Sequence, residues 1–247
     1  RLNAIRYCLA AAQHSAEIWA NQTAIQWYDN ALTKLDSFHA EPPTALEEEQ
    51  GGTARQILTW RIEAIRGRAD VNAAMGHNDT AIAGYNQALA LVQDATDESQ
   101  TVQASLYRRL AIAHHDRGEF EDAHLAIEQG FAVLHGHSTP ETGRLSLWLG
   151  IVQFRRGALS AALAAAQQGI GQIEQANSAN SLTDMAQAYN LQGIIHLNLA
   201  HTDEAIHAHE QSRTYYRQAS DLPGQERATS NLGVVYQHLS RWNEALT

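Results

Sequence analysis

The sequence predicts an all-α chain built as an array of helical hairpins, on three observations. Apolar residues recur at steps of three and four, and no run alternates at period two for long enough to make a strand. A small residue returns as Ala24, Ala81, Ala123, Ala162, Ala205 and Ala245, at spacings of 57, 42, 39, 43 and 40 residues. Twelve residues ahead of each sits a second small residue: Ala12, Ala69, Ala111, Gly150, Gly193 and Gly233.

The first five anchors are followed by further markers at steps of four and three. These are Tyr28 and Ala31, Tyr85 and Ala88, Ile127 and Gly130, Ala166 and Gly169, and His209 and Ser212. Such steps lie on one helix face, so each anchor opens the second helix of a hairpin. Small residues let two helix backbones approach, and larger ones fill the space beside them. A single hairpin cannot bury both of its apolar faces, which is why copies must stack.

Taken in order, residues 1–20 read as a first helix and Thr23–Phe38 as its partner, with Trp19, Trp27 and Tyr28 on apolar faces. Residues 39–56 read as an exposed connection, because Pro42-Pro43 forbids a continuous helix and Gly51-Gly52 ends a short one. It accounts for the long first spacing. The repeats then fall at approximately 5–38, 62–95, 104–137, 143–176, 186–219 and 226–247, the last cut short, in one domain over 1–247. Gly76, Gly118 and Gly157 sit at hairpin turns and suit left-handed helix ends, with Asn78 or Asp79 offered as the following N-cap. Thr139-Pro140-Glu141 reads as a helix start with Pro at its first position.

This code resembles the tetratricopeptide repeat, which runs W-x2-L-G-x2-Y and then A-x3-F. Leu232-Gly233-Val234-Val235-Tyr236 carries L-G-x2-Y intact, while Asp203-Glu204-Ala205-Ile206 and Phe120-Glu121-Asp122-Ala123 open second helices in the family style. The repeat-ending proline and the first Trp of the pattern are absent, and the period is near 40 rather than about 34. That longer form is similar to the arrays that follow the nucleotide-binding domain in bacterial signalling ATPases and related regulators and cyclases. Tyr7–Leu32 is similar to the first repeat after such a module. The resemblance implies a right-handed superhelical solenoid of about six hairpins.

Composition fits a folded, soluble scaffold: 44% apolar and 18% charged residues, and no apolar stretch of the ~18 residues that a membrane helix needs. One cysteine, Cys8, excludes an internal disulfide framework, and a cytoplasmic setting is expected. A net charge of −10 argues against nucleic acid as a direct ligand. The chain lacks an initial methionine and stops just as a helix opens, so a piece of a larger protein is expected.

No catalytic chemistry is legible. His207 and His209, two apart on a helix, point in different directions. His209-Glu210-Gln211-Ser212-Arg213 begins like a zinc-protease motif but lacks its second histidine. Gly51-Gly52-Thr53 lacks the lysine of a phosphate loop. The thirteen histidines read as packing or solvated groups, with His196 and His209 the residual pair for titration or metal. No enzyme activity, metal or cofactor is expected.

Binding is expected instead. By the resemblance, the first helices line a concave groove, which places Arg66, Asp70, Arg108, Ile112, Arg144, Leu147, Ile151, Phe154 and Arg155 there. Asn190, Ile194, Asn198, Arg227 and Asn231 complete it. Arginines hold carboxylates bidentately and asparagines bracket a peptide backbone, so the expected ligand is a protein or peptide, acidic in part, or another domain of the parent chain. The bland reading is that these arginines pair with neighbouring helices. The carboxylate-clamp residues of some family members are not reproduced. A free-standing assembly adaptor is the alternative, and a metal-binding or enzymatic repeat domain the remote one. The sequence leaves the oligomeric state open.

Overall fold

In the computed structural model, residues 1–40, 54–92, 97–176 and 181–241 are described. Among them there are eleven α-helices and no strand. The helices are α1 (Leu2–Glu17), α2 (Asn21–Ala40), α3 (Ala54–Ala74), α4 (Asn78–Leu91), α5 (Asp97–Asp116) and α6 (Phe120–Val133). They continue as α7 (Pro140–Arg155), α8 (Leu159–Ala176), α9 (Ser181–Asn198), α10 (Thr202–Gln218) and α11 (Leu222–His238). Helix α2 runs to Ala40 and α3 begins at Ala54, so residues 39–40 and 54–56 of the expected connection are helical, and the rest of it lies outside the described residues. Its Pro42-Pro43 and Gly51-Gly52, and the last anchor Ala245, lie outside the described residues.

One cap is repeated through the chain. Five residues before each anchor the backbone turns left-handed, at Trp19, Gly76, Gly118, Gly157, Ala200 and Ser240. The next residue then donates its N–H to the carbonyl five back: Ala20 to Ser15 at 2.8 Å, and His77 to Asn72 and His201 to His196 at 2.9 Å. Glu119 to His114, Ala158 to Gln153 and Arg241 to Tyr236 repeat it at 2.9 Å. This closes the helix-end carbonyls in the Schellman manner. It corrects two expectations. Trp19 does not lie on an apolar face but stands 75% exposed at the left-handed position. The N-cap position of α4 falls on His77, not Asn78 or Asp79, and its side chain makes no capping hydrogen bond. Thr139 does cap α7 with Pro140 in the first turn, and its hydroxyl accepts from the Thr142 N–H.

The chain divides into two compact units, Arg1–Glu119 and Phe120–Thr247. In the first, α1 packs on α2 and α3 on α4, each hairpin touches the next, and α1, α3 and α5 are successive neighbours. In the second, α7 pairs with α8 and α9 with α10, while α7, α9 and α11 are successive neighbours. This is the stacking that the sequence code demands. The described anchors Ala24, Ala81, Ala123, Ala162 and Ala205 are fully buried, as are Ala12 and Ala111. In the α7–α8 hairpin the backbones themselves touch: a Cβ on Gly150 would stand 3.2 Å from the Ala162 carbonyl oxygen. Alanine would have to push the helices apart.

Candidate functional site

Most of the residues expected on the first-helix faces are half-buried, with Leu147 sealed and Arg155, Asn198 and Arg227 exposed. In the first unit Arg66, Asp70, Arg108 and Ile112 all have this intermediate burial. Asp70 is already committed. Its Oδ1 accepts the Tyr85 hydroxyl from α4 at 2.8 Å and Arg109 Nε from α5 at 2.9 Å. Arg109 is further steadied by the Ser105 hydroxyl at 2.6 Å. Arg109, the neighbour of the expected Arg108, therefore makes the bridge between first helices. Arg66 buries its Nε without a hydrogen-bond partner.

In the second unit the bland reading holds for one arginine. Arg144 of α7 donates through Nε to Asp184 of α9 at 2.8 Å, and its Nη1 lies 3.4 Å from the buried Glu141. With two carboxylates on it, Arg144 has little charge left for a ligand. Leu147 is 1% exposed and belongs to the core, because its position turns toward α8 and α9. Ile151, Phe154 and Ile194 remain half-buried. Arg155 is exposed and holds its guanidinium 5.8 Å above the Phe120 ring. Arg227 is exposed with no ion pair among the described residues. Asn198 spends its amide on the Ile194 carbonyl of its own helix at 2.8 Å.

Asn190 and Asn231 are joined directly. The Asn231 Nδ2 donates to Asn190 Oδ1 at 2.8 Å, linking α9 to α11. That bond fixes both amides and leaves a donor group on Asn190 and an acceptor on Asn231. A signal for these bridges was present in the sequence. Asp70 and Arg109 are 39 residues apart, Arg144 and Asp184 40, and Asn190 and Asn231 41. Each pair is one repeat apart, the spacing at which complementary residues on successive first helices face one another.

Both residual histidines are buried, His209 to 1% and His196 to 9% exposure. Burial lowers the proton affinity of each, taking His209 down to about 4. Within the described residues, no helix is long and apolar enough to cross a membrane.

No family model matches the chain, and no curated protein matches it. Solved structures do. The chain is similar to BtubC from P. vanneervenii, with 15% identity and a TM-score of 0.70 over 92% of this chain and 87% of that one. It is similar to a thermophilic TPR protein from Thermus thermophilus, with 16% identity and a TM-score of 0.58 over 92% and 98%. It is similar to NprR solved with its cognate peptide NprX, with 12% identity and a TM-score of 0.63 over 98% of this chain and 64% of that one. At these identities the likeness establishes the fold: an all-α, tetratricopeptide-like helical repeat.

Proposed function

We propose that this chain is a non-catalytic scaffold that holds a protein or peptide segment against the first-helix faces of its hairpins. The observation that carries the reading is the Asn190–Asn231 pair. Its fixed bond at 2.8 Å leaves one amide donor and one carbonyl acceptor uncommitted, on half-buried residues of adjacent helices. A peptide bond offers the complementary carbonyl and N–H. Two amides locked in place lose little side-chain entropy on binding it. Ile194 beside them, with Ile151 and Phe154 on α7, supplies apolar contact for the ligand's side chains. The acidic character expected of the ligand rests in this unit on Arg155 and Arg227, since Arg144 is paired internally. Arg66, Arg108 and Ile112 form the corresponding face of the first unit. NprR, which shares the fold, is solved with a peptide, and so supplies a precedent for this kind of ligand.

The setting we propose is the repeat region of a cytoplasmic bacterial signalling protein, with the ligand either a separate peptide or a segment of the same parent chain. A nucleotide-binding module ahead of Arg1 in the parent gene supports that setting; a gene encoding the repeats alone supports the assembly adaptor.

The test is to pan a phage-displayed library of random peptides against the protein and against an Asn190→Ala/Asn231→Ala variant of equal helicity. Enriched peptides are expected to bind the variant about tenfold more weakly, a loss of about 1.4 kcal/mol. Equal binding to both removes the asparagine pair from the site. A library in which nothing is enriched on either protein sinks the peptide reading.

A further inference from the structure

The α9–α10 hairpin contains a group that the binding reading does not use. His209 stands in the slot filled by Tyr28, Tyr85, Ile127 and Ala166 in the other second helices, and it is sealed from solvent. Its ring lies flat against the backbone of α9: a Cβ on Gly193 would meet Cε1 at 2.6 Å and both ring nitrogens at 2.7 Å. Neither Nδ1 nor Nε2 has a hydrogen-bond partner.

We propose that this hairpin is an acid-sensitive latch, closed on Gly193 only while His209 is a neutral imidazole, and loosened when the ring takes up a proton. The argument is one of accounting for donors. A neutral imidazole has one N–H and one lone pair, and both are already unsatisfied here. The imidazolium has two N–H donors and a full charge, and burying it without an acceptor is far more costly. Among the described residues of α9, α10 itself, and α8 and α11 packed beside them, no charged side chain offsets the burial that acts on the ring. Asp184 of α9 is held by Arg144, and Glu204 of α10 acts on His196 together with His201. Tyr216, the other buried titratable group of α10, has an unpartnered hydroxyl whose proton burial holds on more tightly. The protonated ring therefore finds partners only in water, which reaches it when α10 lifts from α9 near Gly193. One turn further on, Ser212 donates to the Ala186 carbonyl at 2.8 Å, a clasp that confines the loosening to the His209 level. The inference stands on the hairpin's geometry and holds whether or not the neighbouring face takes a peptide.

The experiment titrates the whole 247-residue protein, labelled with 15N-histidine, from about pH 7.5 to about pH 4 by NMR, with hydrogen exchange followed by mass spectrometry over the same range. The expected result is a His209 ring that stays neutral well below the ordinary histidine range and then charges. As it charges, exchange in α9 and α10 rises about tenfold beyond the intrinsic pH effect, while α3 and α4 stay protected. A His209→Leu variant is expected to lose that rise, and a His196→Gln variant to keep it. A ring that titrates like an exposed histidine with α9 and α10 still protected overturns the proposal, as does the same rise in His209→Leu or its loss in His196→Gln. If His209→Leu fails to fold, the parent titration decides: the imidazolium signal and the loss of protection must appear at one pH.

Discussion

Tyr85 of α4 and His209 of α10 occupy the same slot, four residues after a buried anchor alanine, one in each compact unit. Their polar ends meet opposite fates. The phenol is long enough to place its hydroxyl 2.8 Å from Asp70 on the facing helix α3, where Arg109 completes the set. The imidazole is shorter, stops over Gly193 and finds nothing. A buried polar side chain is satisfied by reach as much as by its chemical type. The same slot therefore gives a rigid polar bridge in one unit and a titratable weak point in the other.

The largest effect expected from this difference is a dependence on pH. The folded state holds His209 near 4 against the ordinary 6.5, so between those values the unfolded chain binds the extra proton. The neutral ring's full contribution is therefore present above about pH 6.5. It is lost as pH falls toward 4 and levels off below, a total of about 3 kcal/mol. Urea denaturation of the second unit at several pH values measures it, and a flat profile through that window refutes it.

Next is Gly193→Ala, which drives a methyl into the His209 ring at 2.6–2.7 Å. Overpacking of this kind costs about 2 kcal/mol, and the loss should shrink when His209→Ala is added, since the ring is what the methyl strikes. A double-mutant cycle in chemical denaturation reads that coupling. Tyr85→Phe removes a hydrogen bond to a carboxylate and is expected to cost about 1.5 kcal/mol, with no change in pH profile between 4 and 7. A histidine-like profile in that variant would erase the contrast between the slots. The smallest effect has the opposite sign. Trp19→Gly relieves a side chain in the left-handed region and should stabilise the first unit by up to about 1 kcal/mol, seen as a rise in Tm.

The slots were legible because small and large residues recur at fixed offsets, and burial of five described anchors follows from that pattern. The caps were legible only where glycine marks them. Trp19, Ala200 and Ser240 adopt the same left-handed turn without the residue type that announces it, because the Schellman hydrogen bonds impose the conformation whatever side chain stands there. On the binding face, Asn190 and Asn231 stood in family register, while the Arg109–Asp70 bridge beside the expected Arg108 was not anticipated. Adjacent residues on a helix point about 100° apart, so the two arginines serve different faces, and a code of small and large residues does not announce which of them bridges. The isolation of His209 was not legible at all. It depends on what the facing helix lacks, and a pattern of residues records only what each position has.

The matching caps that precede the six anchors have an editorial consequence. A segment cut from one left-handed residue to the next, such as Gly118 to Gly157 or Gly157 to Ala200, begins and ends in one backbone geometry with one set of donors and acceptors. Copies can therefore be spliced in or removed at these seams with the reading frame of the helices intact. The chain lengthens by whole cassettes of about 40 residues, as a tape is lengthened by frames.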